Sequence, residues 1–273
     1  MIHELKKDIY LLLHKKVFLL CLIIFSVLFS YISLKDITNI YTSGYSYQHH
    51  FIIAIDYAKH SFLSAFYYLI PVIVVFPFAD TWLNERKMTD ILFTRVKAKT
   101  YFLSKYILCF VSGFLVLALP LLISFIAEIF ALDFHENQIT ILPYAVGENN
   151  IQSLNQMYSF FSFYSSSPYL YMIMYFALIG IYGGFCAMTS FSISLICKQK
   201  VIPYIAMFLI LLLPMFVSSY LPDPYAYWYP QMLINPFAQN AELTPLVYAM
   251  WYALCLLANA VMFKMYQRRD IFE

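Results

Sequence analysis

Apolar residues run together in long blocks along this chain, and polar residues are confined to the stretches between them. A helix needs about 20 apolar residues to cross the hydrocarbon core of a bilayer. Six runs qualify: 17–34, 61–79, 106–132, 169–197, 201–221 and 245–265. Only Lys198-Gln199-Lys200 separates the fourth from the fifth, which predicts a tight helical hairpin. The second can begin earlier, because Phe51-Ile52-Ile53-Ala54-Ile55 is also apolar. The pattern predicts an all-α polytopic membrane protein, a single transmembrane domain over 1–273 with six transmembrane helices.

Two stretches follow a different pattern. In 1–16, Ile2, Leu5, Ile9, Leu12 and Leu13 recur at helical spacing, while His3, Glu4, Lys7, Asp8, His14 and Lys15 take the remaining positions. This predicts an amphipathic helix in the inner headgroup layer, with Lys6, Lys7, Lys15 and Lys16 against anionic membrane lipid. It carries too many charges for a cleavable signal, and no A-x-A-like site follows. Between the second and third runs, residues 82–95 predict a short cytoplasmic helix of mixed charge. Met88, Ile91 and Leu92 share one face, and Arg86, Lys87, Asp90 and Thr94 the other. Asp80 is placed to cap it, and Thr100 to cap the third span. A loop that only sets topology needs Lys and Arg alone. Interleaving Glu85 and Asp90 among them suggests a surface that meets another protein's charges.

Composition supports the membrane assignment. The chain is 62% hydrophobic and 12% charged, where soluble domains average about 45–50% and about 25%. The net charge of +2 points to neither nucleic acid nor an acidic partner. Its distribution is more informative. Of the 17 Lys and Arg residues, all but Lys35 and Lys59 fall in the N-terminal segment, the loop between spans two and three, the turn between four and five, or the C-terminus. By the positive-inside rule both termini are cytoplasmic. The loops 133–168 and 222–244 contain no Lys or Arg. The second of them, with Pro222, Pro224, Tyr225, Tyr227, Trp228, Tyr229 and Pro230, reads as an outer re-entrant or interfacial segment.

Little in the chain suggests its own chemistry. The five cysteines lie in or beside apolar runs without zinc spacing. There is no phosphate loop of the form G-x-x-x-x-G-K-[ST], no G-x-S-x-G, and only six glycines. His135-Glu136 is not followed by a second His at 139. Glu128 is the one acidic residue inside a run. Ser112, Ser124, Thr189, Ser190, Ser192, Ser194 and Asn259 are polar but neutral. Such residues tie helices together or line a pathway, the candidates for the latter being Ser112, Ser124, Thr189, Ser190 and Asn259. Gly180, Gly183 and Gly184 form a small-residue patch suited to close helix contact. No catalytic, cofactor-binding or metal-binding residues are expected.

The order of these parts resembles the permease subunits of type-two ATP-binding-cassette (ABC) exporters. The residues that carry the likeness are Phe78-Ala79-Asp80, Asn84-Glu85-Arg86-Lys87, Leu92-Phe93-Thr94-Arg95-Val96 and Tyr101-Phe102-Leu103-Ser104-Lys105, with Tyr266-Gln267-Arg268-Arg269-Asp270-Ile271 at the end. Met88-Thr89 stand where that family often has a Gly soon after the Glu. The resemblance implies a chain that pairs with a second permease copy, a homodimer or a related permease. Each copy would carry a separate ABC ATPase subunit that binds ATP and Mg. The helix at 82–95 would be the coupling helix, docking through Asn84, Glu85, Arg86, Lys87, Asp90, Thr94 and Arg95. The expected function is export across a cell membrane of a peptide or bacteriocin, an antibiotic, or an amphipathic lipid-like molecule. The alternatives are a non-transporting scaffold or sensor and an intramembrane enzyme, the latter lacking clustered catalytic side chains. Lys outnumbers Arg among the 17 basic residues, and with 25 Tyr and 26 Phe this suggests an AT-rich bacterial genome.

Overall fold

The computed structural model describes residues 2–43, 64–78, 81–86, 93, 97–132, 168–197, 199–218, 220–222, 230, 233 and 245–269. All regular elements among them are helices: α1 (Ile2–His14), α2 (Lys16–Ser43), α3 (Ser64–Val75), α4 (Thr81–Glu85), α5 (Ala98–Leu132), α6 (Pro168–Ile196), α7 (Ile202–Ser218) and α8 (Pro245–Arg269). Three stretches are long and apolar enough to cross a membrane, Ala98–Ala127, Met172–Ile196 and Leu246–Gln267. A fourth follows if α1 and α2, bent by 58° at Lys15, count as one span. These are the helices of a membrane protein.

Local chemistry sets several boundaries. Both α6 and α8 start on a proline, Pro168 and Pro245, whose missing N–H is no loss in the first turn of a helix. The carbonyl of Lys15 accepts the first α2 bond, from the Leu19 N–H, so Lys15 ends one helix and starts the next. Lys97 does the same for α5, accepting from Thr100 and Tyr101. Thr100 therefore lies inside the helix and does not cap it. The strong helix formers Ala98 and Lys99 let the turn begin earlier than hydropathy alone suggests. The second expected span is described as helix only over the 12 residues of α3, and the fifth over the 17 of α7. At about 1.5 Å per residue these reach roughly 18 and 26 Å, against a hydrocarbon core of about 30 Å.

The central contact is between α5 and α6. A methyl group at Gly113 would fall 2.3 Å from the Gly183 carbonyl oxygen, and one at Gly183 would fall 2.6 Å from that of Gly113. The two backbones touch here, so only glycine fits. The rings of Phe110 and Phe114 fill the adjacent space over Gly184 and Gly180. In a bilayer, where helix association depends on close packing, such a crossing is a principal source of adhesion. α2 lies along α5 through Phe18, Cys21, Phe25 and Phe29, all buried, while its Leu20, Ile23, Ile24 and Val27 face outward. α8 packs on α6 through stacked Phe185 and Tyr252 rings, centroids 4.9 Å apart. It leaves Leu254, Leu257 and Val261 exposed, a surface that suits lipid and not water.

Candidate functional site

Where α1, α4 and α5 meet, the chain buries charge. Tyr101, Ser104 and Lys105 stand on one face of α5 at i, i+3 and i+4 spacing. The Lys105 ammonium donates to Asp8 Oδ1 of α1 at 3.1 Å and to Glu85 Oε1 of α4 at 3.1 Å. The Ser104 hydroxyl donates to the other Asp8 oxygen at 2.5 Å, and the Tyr101 hydroxyl to the other Glu85 oxygen. Each carboxylate thus receives one ammonium bond and one hydroxyl bond, all four from α5. The side chains of Lys105 and Asp8 are 7% and 8% exposed, that of Glu85 31%. The pair with Asp8 is therefore the desolvated one, and Glu85 closes the cluster toward solvent.

An aromatic layer adjoins this cluster. Trp82 of α4 is almost fully buried, its ring 5.1 Å from Phe102 and 5.5 Å from Tyr266 of α8. Phe93, beyond α4, packs 6.0 Å from both Tyr101 and Phe102. The Lys15 ammonium stands 4.3 Å from the centre of the Phe78 ring. At the same end of the bundle, Lys200 in the turn between α6 and α7 donates to Asn84 of α4. α4 is thus held by α5, α8 and the α6–α7 turn, and through Lys105 it is linked to α1.

A second polar network lies deeper, among α5, α6 and α8. Ser192 donates its only hydrogen to Asn259 Oδ1 at 2.5 Å, so Tyr106, 2.8 Å from the same serine, is the donor in that contact. Asn259 Nδ2 donates to Thr189 Oγ1 at 3.3 Å and to the Cys255 carbonyl at 2.8 Å. Both amide hydrogens and the amide oxygen of Asn259 are thereby engaged, with partners on α6 and α8.

The residues expected from sequence are distributed unevenly. Of the coupling set, Asn84, Glu85 and Arg86 are described. Asn84 and Arg86 are exposed, while Glu85 turns inward to Lys105. Lys87, Asp90, Thr94 and Arg95 lie outside the described residues, as does most of the expected 222–244 outer segment. Within that segment, Pro230 and Leu233 are described and buried. In α1, Lys7 is exposed, as is Lys16 at the start of α2, and Lys15 is half-buried; the side chains of Lys6 and Glu128 are outside the description. Among the pathway candidates, Ser112 donates to its own helix at Cys109 O and Ser190 to Pro203 O of α7. Ser124 is buried. Thr189 is also among the residues lining a cavity between α6, α7 and α8. The five cysteines are free, and no group of three potential metal ligands converges among the described residues.

Sequence reasoning missed Asp8 and the hub role of Lys105. Asp8 was assigned to the polar face of α1, yet it is 6% exposed and shares its buried face with Leu12. The signal was present: Asp8 lies three residues after Leu5 and four before Leu12, within the apolar stripe. Ile9 and Leu13 of the apolar stripe are exposed on the outside of the bundle, the side open to a headgroup layer. Compared with protein-family models, curated proteins and solved structures, the chain matches none of them.

Proposed function

We propose that this chain is the permease half of an ATP-driven ABC exporter and forms one side of a translocation pathway. On this reading six helices span the cell membrane with both termini in the cytoplasm, in a bacterium. A second permease copy completes the pathway. A separate ATPase subunit, holding ATP and Mg, docks on the loop that contains α4. The cargo is amphipathic: a peptide, an antibiotic or a lipid-like molecule.

The observation that carries this reading is the attachment of α4 to a spanning helix through Lys105. A coupling element must pass a push from outside the bilayer into a transmembrane helix. α4 is joined to α5 by the Glu85–Lys105 ion pair and the Trp82–Phe102 ring contact, and through Lys105 to α1. It cannot move without these elements moving or the cluster breaking. Glu85 acts as the internal link, while Asn84, which accepts from Lys200, and Arg86 are the described members of the set that are exposed. The family likeness of residues 78–105 supports the same assignment. The test is co-expression with the ATPase encoded beside this chain and purification through a tag on the permease. Recovery of an ATP-hydrolysing complex supports the reading. Recovery of the permease alone from membranes that contain the folded ATPase rejects it and favours a scaffold or sensor.

A further inference from the structure

The ion cluster holds two carboxylates on one ammonium, and the two are not equivalent. The Asp8 side chain is 8% exposed, and the Ser104 hydroxyl also bonds it. The Glu85 side chain is 31% exposed, and the Tyr101 hydroxyl also bonds it. If Glu85 leaves, the Lys105–Asp8 pair stays neutral and keeps its serine bond, and the freed carboxylate goes to water. If Asp8 leaves, a buried carboxylate has to be uncovered and α1 comes off with it. A desolvated pair is costly to break, and a solvated one is not. The cluster therefore opens at Glu85.

α4 is also seated with polar groups left over. Thr81 is 8% exposed and Trp82 1%, yet neither the Thr81 hydroxyl nor the Trp82 indole N–H makes a hydrogen bond among the described residues. A buried polar group without a partner disfavours the state that buries it. Opposing this are the ring contacts of Trp82 with Phe102 and Tyr266, and the bond from Lys200 to Asn84. We propose that α4 is a releasable latch. It exchanges between this docked position and one in which Glu85, Thr81 and Trp82 reach the membrane–water interface, which Trp favours. Throughout, the Asp8–Lys105 pair keeps α1 on α5. Docked, α4 moves with α5; released, it moves without it. The latch is a property of the chain alone, and it stands or falls separately from the ATPase reading.

The test is carboxylate footprinting of the full chain in phosphatidylcholine nanodiscs, with no ATPase present. A water-soluble carbodiimide with glycine ethyl ester caps each carboxylate that solvent reaches, and peptide mass spectrometry gives the rates at Glu85 and Asp8. Thr81→Val removes the unpaired hydroxyl and keeps the shape of the side chain. It is expected to slow labelling of Glu85 about fivefold or more, the effect of relieving one unsatisfied buried group. The melting temperature should not fall. Tyr101→Phe removes a bond from Glu85 and none from Asp8, and is expected to speed labelling of Glu85 severalfold with Asp8 still protected. A Glu85 that is partly exposed but fixed would be labelled as fast in the Thr81→Val chain as in the unmodified one, and that result, or a faster rate, overturns the proposal. So does labelling of Asp8 and Glu85 at one rate in the Tyr101→Phe chain, because α1 and α4 would then open together.

Discussion

Lys105 and Asp8 are 97 residues apart in sequence and form a buried ion pair, Nζ to Oδ1 3.1 Å. The pair fixes an amphipathic N-terminal helix to the start of a spanning helix, and Glu85 adds α4 to the same ammonium. Removing Lys105 leaves the Asp8 carboxylate buried without its cation, with the half-buried Glu85 carboxylate also unpaired from it. Lys105→Met is expected to destabilise the protein by about 3–5 kcal/mol, the usual cost of orphaning a buried charge. Lys105→Met combined with Asp8→Asn and Glu85→Gln should recover a large part of that loss. Thermal unfolding in detergent, followed by size-exclusion fluorescence, measures both. Equal stability of the single and triple variants would show that the charges do not interact as the distances indicate.

The close approach of α5 and α6 makes a separate prediction. Gly183→Ala places a methyl group 2.6 Å from a backbone oxygen that has no room to retreat. Overpacking of this kind costs about 1–3 kcal/mol, and Gly113→Ala should cost at least as much. Ala258→Leu, on the exposed side of α8, should be near neutral. The same melting assay ranks the three.

The deeper network predicts smaller effects. Tyr106→Phe removes one donor from Ser192 and is expected to cost about 0.6 kcal/mol, the average for hydrogen bonds between membrane helices. Asn259→Leu strips partners from both Ser192 and Thr189 and should cost more. A double-mutant cycle between Tyr106→Phe and Ser192→Ala isolates the contact, and a coupling energy of zero would remove the network from the account.

Sequence and structure agree where hydropathy decides and part where side-chain pairing decides. The runs at 169–197 and 245–265 lie close to the observed α6 and α8, because each starts at a proline and continues apolar. The glycine patch on the fourth run meets α5 as its small residues suggest, though its partner Gly113 was not singled out. The start of α5 lies before the third run, since Ala98 to Lys105 is helical without being apolar. The hidden part was the ion cluster. Tyr101, Ser104 and Lys105 were legible as a motif, but their partners are 16 to 97 residues away. Hydropathy counts a charged residue as exposed, and nothing local reveals that Asp8 and Lys105 neutralise each other. Ser112 and Ser190, polar residues inside the runs, donate to backbone carbonyls, Ser112 within α5 and Ser190 across to α7.

The proposed coupling role of the α4 region is tested most directly by ATP hydrolysis in a complex of this chain with a co-expressed ATPase subunit, reconstituted in nanodiscs, comparing the unmodified chain with Arg86→Glu. Arg86 is exposed just beyond α4, and the melting temperature of the chain alone, with and without the substitution, separates an effect on docking from one on folding. The account predicts that the ATPase is lost from the purified complex, or that its permease-dependent hydrolysis falls at least severalfold. Hydrolysis and binding equal to those of the unmodified protein would contradict the assignment of this loop as the coupling element.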